Sequence, residues 1–197
     1  MVHSPGEIRE RVAALAKAIE GDLPPEGRLL LVGVLKGAAF LLADLAREIS
    51  LPVRIDFVRL RSYGSGTRSR GEPETLVEPD ADPAGMDVVV VEDVVDTGRS
   101  LAKLRELFEG RGARSVRLLA LVDKAGRRER EVTLDYTGFR RGDGFLVGYG
   151  MDHAEEYRHL PGIWLLPEGS PGVDPDGQAG TIPGGEAIGP TADGGNE

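Results

Sequence analysis

The residues best suited to chemistry lie in one stretch, VVVVEDVVDTGRSL, at positions 88–101. Four valines are followed by the acids Glu92 and Asp93, by two further valines, and by a turn that begins with Asp96. The valine run predicts a buried strand, and the apolar spacing after the turn predicts a helix. Such a strand–turn–helix presents backbone N–H groups and a helix N-terminus to a phosphate, with carboxylates beside it for a metal or a sugar.

Simpler structures could use the same residues. The acids could be solvated loop residues, and because neighbouring strand residues face opposite sides of a sheet, Glu92 and Asp93 do not form a simple pair. Asp96, Thr97 and Ser100 could form an ordinary helix cap. A nucleotide hydrolase also ends a strand in a Mg²⁺-binding acid, but it needs a GxxxxGK[ST] loop, which this sequence lacks. A cap alone does not account for Asp, Thr, Gly and Ser together behind an acidic pair, which favours a phosphate site.

Composition narrows the class of protein. The 197 residues contain 24 Lys and Arg against 33 Asp and Glu, and the net charge of −9 argues against general nucleic-acid binding. The absence of cysteine excludes disulfides and thiolate catalysis. With no long apolar run and no signal-peptide core, we expect a cytoplasmic protein with no membrane partner.

The chain divides into a folded body and a tail. Residues 1–167 have the composition of one α/β domain, and residues 168–197 are rich in Gly and Pro with acids and no Lys or Arg. We therefore predict a disordered acidic tail. The remaining body is close to neutral, so it can hold a local positive pocket for an anion.

Strand and helix patterns alternate along the body, which predicts an open, mainly parallel sheet with helices on both faces. Short apolar runs predict the last strands at 132–136, 145–149 and 163–166. The segment at about 61–74 is rich in Gly, Ser and Arg, and is either a flexible linker or a functional lid.

Three predicted strands end in polar residues. Ligands of open α/β sheets bind at the carboxyl ends of the strands. These ends carry Lys36-Gly37, the stretch from Glu92 to Ser100, and Asp123-Lys124. The sequence therefore predicts one site that all three ends share.

The whole pattern, four apolar residues followed by EDVVDTGRSL, resembles the phosphoribosyl pyrophosphate (PRPP) signature of type I phosphoribosyltransferases. It is a long and specific motif. Four further segments resemble the hypoxanthine(-guanine) branch of that family: LKG at 35–37, SYG at 62–64, LVDK at 121–124 and DGFLVGYGMDHAEEYRHLP at 143–161. The match runs from about Ile8 to Leu166.

The resemblance implies a type I phosphoribosyltransferase fold with a small hood and a mobile lid, and a Mg²⁺-dependent purine salvage enzyme. Such an enzyme converts hypoxanthine, and also guanine, with PRPP to IMP or GMP and pyrophosphate. Its relatives form dimers and tetramers, so a homodimer or homotetramer is expected. The peptide bond before the loop lysine, here Lys36, can be cis in the family.

Roles for individual residues follow from the same resemblance. The ribose and 5′-phosphate would be bound by Glu92, Asp93, Asp96, Thr97, Gly98, Arg99, Ser100 and Leu101. Pyrophosphate would be bound by Lys36, Gly37 and Arg158. The purine would be bound by Lys124, Phe145, Leu146 and Asp152, and Mg²⁺ by Glu92, Asp93 and Asp152. Asp96 would also be the catalytic general base, and Ser62 and Tyr63 would belong to the lid.

Lys124 is the residue expected to select which purine base is bound. A lysine after a strand is usually a solvated charge, but an ammonium has three donors and no acceptor. It suits the 6-oxo group of hypoxanthine or guanine and not the 6-amino group of adenine. Two alternatives stay open: a xanthine-preferring enzyme, and a non-catalytic PRPP-sensing regulator, which would need a basic surface. Arg127 and Arg128 are expected to be solvated.

Overall fold

The structure is a computed structural model that describes residues 1–61, 74–142 and 144–166. The predicted lid residues Ser62 and Tyr63 and the predicted tail at 168–197 lie outside these ranges. The division into a domain at 1–167 and a tail therefore stays a prediction.

A six-stranded sheet forms the centre of the molecule, in the order β3-β2-β1-β4-β5-β6. Only β3 among these strands runs antiparallel to its neighbour. A separate antiparallel pair, β7 and β8, forms a small second sheet, called the hood below. The strands are β1 (Leu29–Val34), β2 (Val53–Arg61), β3 (Glu74–Val77), β4 (Asp87–Val95), β5 (Ser115–Asp123), β6 (Tyr136–Arg140), β7 (Phe145–Val147) and β8 (Trp164–Leu166).

In the part of the chain that the structure describes, three α-helices cover the two faces of the sheet. Helices α1 (Pro5–Asp22) and α2 (Ala38–Glu48) share one core cluster, and α3 (Arg99–Gly110) packs in the other. The valine run of β4 supplies both clusters, because successive strand residues point to opposite faces. Val89 and Val91 join the α1–α2 cluster, while Val88 and Val90 join the α3 cluster. The predicted fold class is confirmed.

One predicted strand is displaced along the chain. The apolar run at 132–136 was expected to pair, but β6 begins only at Tyr136 and continues to Arg140. Val132 and Leu134 instead pack against the α3 cluster. Their hydrophobicity indicated burial correctly but could not distinguish packing on the sheet from pairing within it.

The hood is attached to the start of the chain. Val2 and His3 donate backbone hydrogen bonds to the carbonyl of Ile163, and the Ile163 N–H donates back to His3 at 2.9 Å. The His3 ring stacks on Phe139 of β6 with ring centroids 3.8 Å apart. None of the helices within the described ranges is long and apolar enough to span a bilayer.

A buried charge network joins the starts of β4 and β5. Asp87 is 2% exposed and accepts hydrogen bonds from the Arg114 guanidinium and from Ser115 Oγ at 2.7 Å. Burial alone would raise the pKa of Asp87, but these bonds and the charges of Arg114 and Arg117 outweigh it and lower the pKa. The network thus stabilises the end of the sheet opposite the strand ends that carry the candidate site.

We predict that Asp87→Asn lowers the free energy of unfolding at neutral pH by roughly 2–4 kcal/mol, because it breaks a buried ion pair. Since folding lowers the pKa of Asp87, its contribution is present above about pH 4 and is lost as pH falls through the folded-state value. Urea unfolding at neutral pH and at about pH 3 measures both effects. The exposed Asp80→Asn is the control. If the difference in free energy of unfolding between wild type and Asp87→Asn were the same at both pH values, this assignment would be contradicted.

Candidate active site

The candidate site lies at the point in the sheet where the strand order reverses. From β1 the chain places β2 on one side and β4 on the other, and β5 lies beside β4. Crevices at such switch points, at the carboxyl ends of the strands, bind ligands in open α/β sheets. The three predicted polar strand ends, after β1, β4 and β5, therefore lie next to one another.

The turn between β4 and α3 forms a pocket of about 110 Å³. Gly98 caps α3 in the left-handed conformation at φ 79°, and a Cβ there would lie 2.4 Å from Val132 Cγ2 and 2.7 Å from the Arg130 carbonyl oxygen. Glycine is thus required by both conformation and space. The pocket is lined by Glu92, Val94, Val95, Asp96, Thr97, Gly98, Ser100 and Leu101.

The start of α3 is free to bind an anion. The N–H groups of the first helical turn have no intrahelical partner, and no side chain caps this end in the described structure. The ordinary helix-cap interpretation is therefore wrong for this turn. Arg99 forms an ion pair with Glu129 at 2.9 Å and is not one of the residues that line the pocket.

Glu92 and Asp93 face different parts of the site, as alternation along a strand requires. Glu92 lines the pocket, whereas Asp93 lies against the loop after β1. A Cβ on Gly37 would fall 1.7 Å from Asp93 Oδ2. The two acids therefore lie between the pocket of the β4–α3 turn and the loop that carries Lys36 and Gly37.

Both acids hold their protons more tightly than usual. Burial, and then the nearby charge of Asp93, raises the pKa of Glu92 well above 4.5. Burial also raises the pKa of Asp93, against hydrogen bonds from the backbone and the charge of Arg158. Glu92 Oε2 is buried without a hydrogen-bond partner. Buried carboxylate oxygens of this kind call for a cation or a hydroxyl donor.

These acids fit a Mg²⁺ ion that is shared with a ligand. Mg²⁺ keeps several waters and usually takes one or two protein carboxylates together with substrate phosphates. The described ranges contain no group of three His, Asp or Glu side chains that could hold a metal ion. Glu92 and Asp93 could nevertheless supply the one or two carboxylates needed.

Lys124 joins the end of β5 to both the pocket and the hood. It is 6% exposed, and its Nζ donates to the Gly144 carbonyl at 2.9 Å. The same Nζ lies 3.8 Å from Asp96 Oδ1, a buried oxygen without a hydrogen-bond partner. The predicted general base and the predicted base-recognising lysine are therefore neighbours.

The predicted purine-contacting residues of the hood differ in accessibility. Phe145 is 50% exposed, and its ring meets His153 edge-on with centroids 5.0 Å apart, so one face can take a stacked partner. Leu146 is buried, and its side chain packs in the core cluster that α1 and α2 share. Asp152 is already engaged: Oδ1 pairs with Arg158 at 2.8 Å and Oδ2 accepts from the Glu155 N–H.

Lys36 and Arg158 come from distant parts of the chain and meet at one carboxylate. Lys36 Nζ lies 2.9 Å from Glu155 Oε2, and Arg158 lies 3.3 Å from the same oxygen. Arg158 also donates to the Gly150 carbonyl at 2.7 Å. The Leu35–Lys36 peptide bond is cis. Sequence reasoning missed Glu155, because nothing in its local pattern marks it.

Arg128 is a second residue that sequence reasoning missed, and its expected solvation is wrong. Its side chain is 17% exposed and bonds to the Asp123 carboxylate and to the Asp96 carbonyl at 3.1 Å. The next two residues, Glu129 and Arg130, donate their N–H groups to the carbonyl of Thr97. Residues 128–130 therefore hold the pocket turn from behind.

Comparison with known proteins agrees with this geometry. The sequence model of one protein family, the phosphoribosyl transferase domain, matches residues 2–154 of this chain. Hypoxanthine phosphoribosyltransferase of Salmonella typhimurium is 41% identical over 156 residues, which are 79% of this chain and 88% of that protein. The chain belongs to the hypoxanthine(-guanine) phosphoribosyltransferase family. It is accordingly a phosphoribosyltransferase enzyme.

Other family members support the same assignment. Hypoxanthine-guanine phosphoribosyltransferase of Bacillus subtilis is 38% identical over 160 residues, covering 81% of this chain and 86% of that protein. A crystal structure of a Bacillus anthracis hypoxanthine-guanine phosphoribosyltransferase, with a HEPES molecule in its active site, superposes with a TM-score of 0.80 at 38% identity. The superposition covers 84% of this chain and 97% of the Bacillus anthracis chain. The type I phosphoribosyltransferase fold expected from the sequence is confirmed.

We predict that Arg128→Met weakens binding of a 5-phosphoribosyl ligand roughly tenfold or more, because a small displacement of the pocket turn misplaces its N–H groups. Calorimetric titration with PRPP measures the change. Arg105→Met is the matched control, since Arg105 pairs with Asp135 at 3.0 Å away from the pocket. Equal affinities for the two variants would remove Arg128 from this supporting role.

Proposed function

We propose that this enzyme transfers the 5-phosphoribosyl group of PRPP to hypoxanthine, and also to guanine, forming IMP or GMP and pyrophosphate with Mg²⁺. The observation that carries the proposal is the 3.8 Å separation between Lys124 Nζ and Asp96 Oδ1. It joins a group suited to a 6-oxopurine with the turn suited to a 5′-phosphate. The chain's relatives are named hypoxanthine and hypoxanthine-guanine phosphoribosyltransferases.

The phosphoribosyl half of PRPP fits the pocket between β4 and α3. The uncapped N–H groups at the start of α3, together with the hydroxyls of Thr97 and Ser100, would bind the 5′-phosphate. Glu92 and Asp93 would accept hydrogen bonds from the ribose hydroxyls. Their raised pKa values reflect burial, and a bound cation would lower them again.

The diphosphate half fits the cations beside the pocket. Lys36 and Arg158 would bind its oxygens, and the Gly37 backbone lies close enough to Asp93 that no side chain could intervene. Mg²⁺ bound with the diphosphate would neutralise the charge that develops as this group leaves. Glu92 and Asp93 would hold that ion, with Asp152 on the hood as a further carboxylate.

The purine would lie between Lys124 and the hood. The Lys124 ammonium can donate to a 6-oxo group and cannot accept from a 6-amino group. The accessible face of Phe145 would stack on the ring, and the backbone of Leu146 would contact its edge. Asp96 would then take the proton at purine N7, because its unpartnered oxygen adjoins Lys124.

Assembly and location stay predictions. We propose a homodimer or homotetramer. A solved structure of the Trypanosoma cruzi hypoxanthine phosphoribosyl transferase, 32% identical with a TM-score of 0.78, is named for the role of its C-terminal region in oligomeric state and activity. We also propose a cytoplasmic location.

The first test is turnover and its dependence on Asp96. With PRPP, hypoxanthine and Mg²⁺ we expect IMP and pyrophosphate, and no product without the metal. Asp96→Asn should lower kcat by roughly 10²- to 10⁴-fold while the KM for PRPP changes little, because general-base catalysis contributes about that much. Coupled assay of pyrophosphate release gives both parameters. Inactive wild-type enzyme would refute the proposal, and an unchanged Asp96→Asn rate would remove Asp96 from the base role.

The second test concerns the choice of base. Lys124→Ala should raise the KM for hypoxanthine roughly 10- to 100-fold, since it removes a charged hydrogen bond to the 6-oxo group. The KM for PRPP should stay close to that of wild type, which separates lost recognition from damaged folding. Lys17→Ala, on the exposed face of α1, is the control. Unaltered purine kinetics in Lys124→Ala would exclude the assignment.

A further inference from the structure

Glu155 occupies the position between the two cations that the proposed reaction assigns to diphosphate. Its Oε2 atom lies 2.9 Å from Lys36 Nζ and 3.3 Å from Arg158. One carboxylate oxygen thus bridges a lysine after β1 and an arginine in the segment between the hood strands. A diphosphate oxygen placed between the same two cations would make the same contacts.

The backbone directs Glu155 toward these cations. Its N–H donates to Asp152 Oδ2 at 2.9 Å, and backbone bonds between His153 and Glu156 close the turn. Ala154 and Glu155 have φ angles of 51° and 69°, a region that side-chain-bearing residues seldom adopt. The turn therefore fixes the backbone from which the Glu155 side chain reaches Lys36 and Arg158.

The local charges balance without a ligand. Lys36 and Arg158 carry two positive charges, and Glu155 and Asp152 carry two negative charges, with Asp152 Oδ1 2.8 Å from Arg158. An incoming diphosphate therefore does not meet two uncompensated cations. It must exchange with a carboxylate that is already bound.

The contacts are suited to exchange. The side chains of Lys36 and Glu155 are 49% and 63% exposed, and exposed ion pairs stabilise a fold only slightly. Removing the Glu155 charge should therefore leave the fold intact. It should change chiefly the affinity of Lys36 and Arg158 for another anion.

We propose that Glu155 is a positioning residue: it acts as an internal counter-ion that holds Lys36 and Arg158 in place and competes with diphosphate for them. Its effect on the reaction is to weaken the binding of the leaving product and of the diphosphate half of PRPP. It does not contact the purine. The inference rests on the proposed function for the identity of the diphosphate ligand.

A matched pair of variants tests this role. Glu155→Gln and Glu156→Gln each remove one negative charge from adjacent residues of the same turn. In the described structure, however, Glu156 forms no ion pair with Lys36 or Arg158. Titrating the full chain with magnesium diphosphate at low ionic strength should show roughly two- to fivefold tighter binding for Glu155→Gln. Glu156→Gln should bind nearly as wild type does.

Two further measurements separate this role from a general charge effect. The advantage of Glu155→Gln should shrink as salt rises to about 0.5 M, because screening weakens exposed ion pairs. In steady state the same variant should lower the KM for PRPP and the inhibition constant for diphosphate, with the KM for hypoxanthine unchanged.

Equal affinities for the two variants, or weaker binding by Glu155→Gln, would overturn the counter-ion role. These outcomes do not depend on catalysis, because diphosphate binding is measured directly. If wild-type enzyme forms IMP while the two variants behave alike, the proposed function stands and the counter-ion role fails. If no IMP forms but Glu155→Gln still binds diphosphate more tightly than Glu156→Gln does, the counter-ion role stands and the proposed function fails.

Discussion

The parallel pairing of β1 with β4 is the constraint on which the rest of the site depends. Its register, from Leu29 opposite Asp87 to Gly33 opposite Val91, ends both strands at the same edge. The loop after β1 then lies against the acids after β4, so closely that Gly37 has no room for a Cβ beside Asp93. Backbone hydrogen bonds between the two strands thus place the Lys36-Gly37 loop beside the carboxylate of Asp93.

Charge compensation gives the site its second constraint. A buried polar oxygen is costly unless it has a partner, and Glu92 Oε2 and Asp96 Oδ1 are buried oxygens without a hydrogen bond. The cations nearby, in contrast, all have partners. Lys36 and Arg158 are paired with Glu155, and Lys124 donates a hydrogen bond to the Gly144 carbonyl. Two carboxylate oxygens of the site therefore lack hydrogen bonds while its cations already have partners.

Local sequence patterns predicted the strand–turn–helix at 88–101 and the gathering of three strand ends, because these features follow from side-chain periodicity and parallel topology. They could not predict Glu155 or Arg128, whose partners lie far along the chain or depend on how a turn folds back. They also misplaced the start of β6, because Val132 and Leu134 are buried by packing on α3 and not by pairing. Hydrophobicity records burial, whereas the partner depends on tertiary structure.

The backbone hydrogen bonds between the first residues and the segment next to the hood have a practical consequence. Backbone bonds join Val2 and His3 to Ile163, one residue before β8, and β8 pairs with the β7 strand that carries Phe145. The position of Phe145, the ring that we propose stacks on the base, is therefore linked through β8 and Ile163 to Val2 and His3, which lie outside the proposed site. A truncation at this end would remove the backbone bonds between residues 2–3 and Ile163, so we expect purine selectivity measured on a truncated protein to differ from that of the full chain.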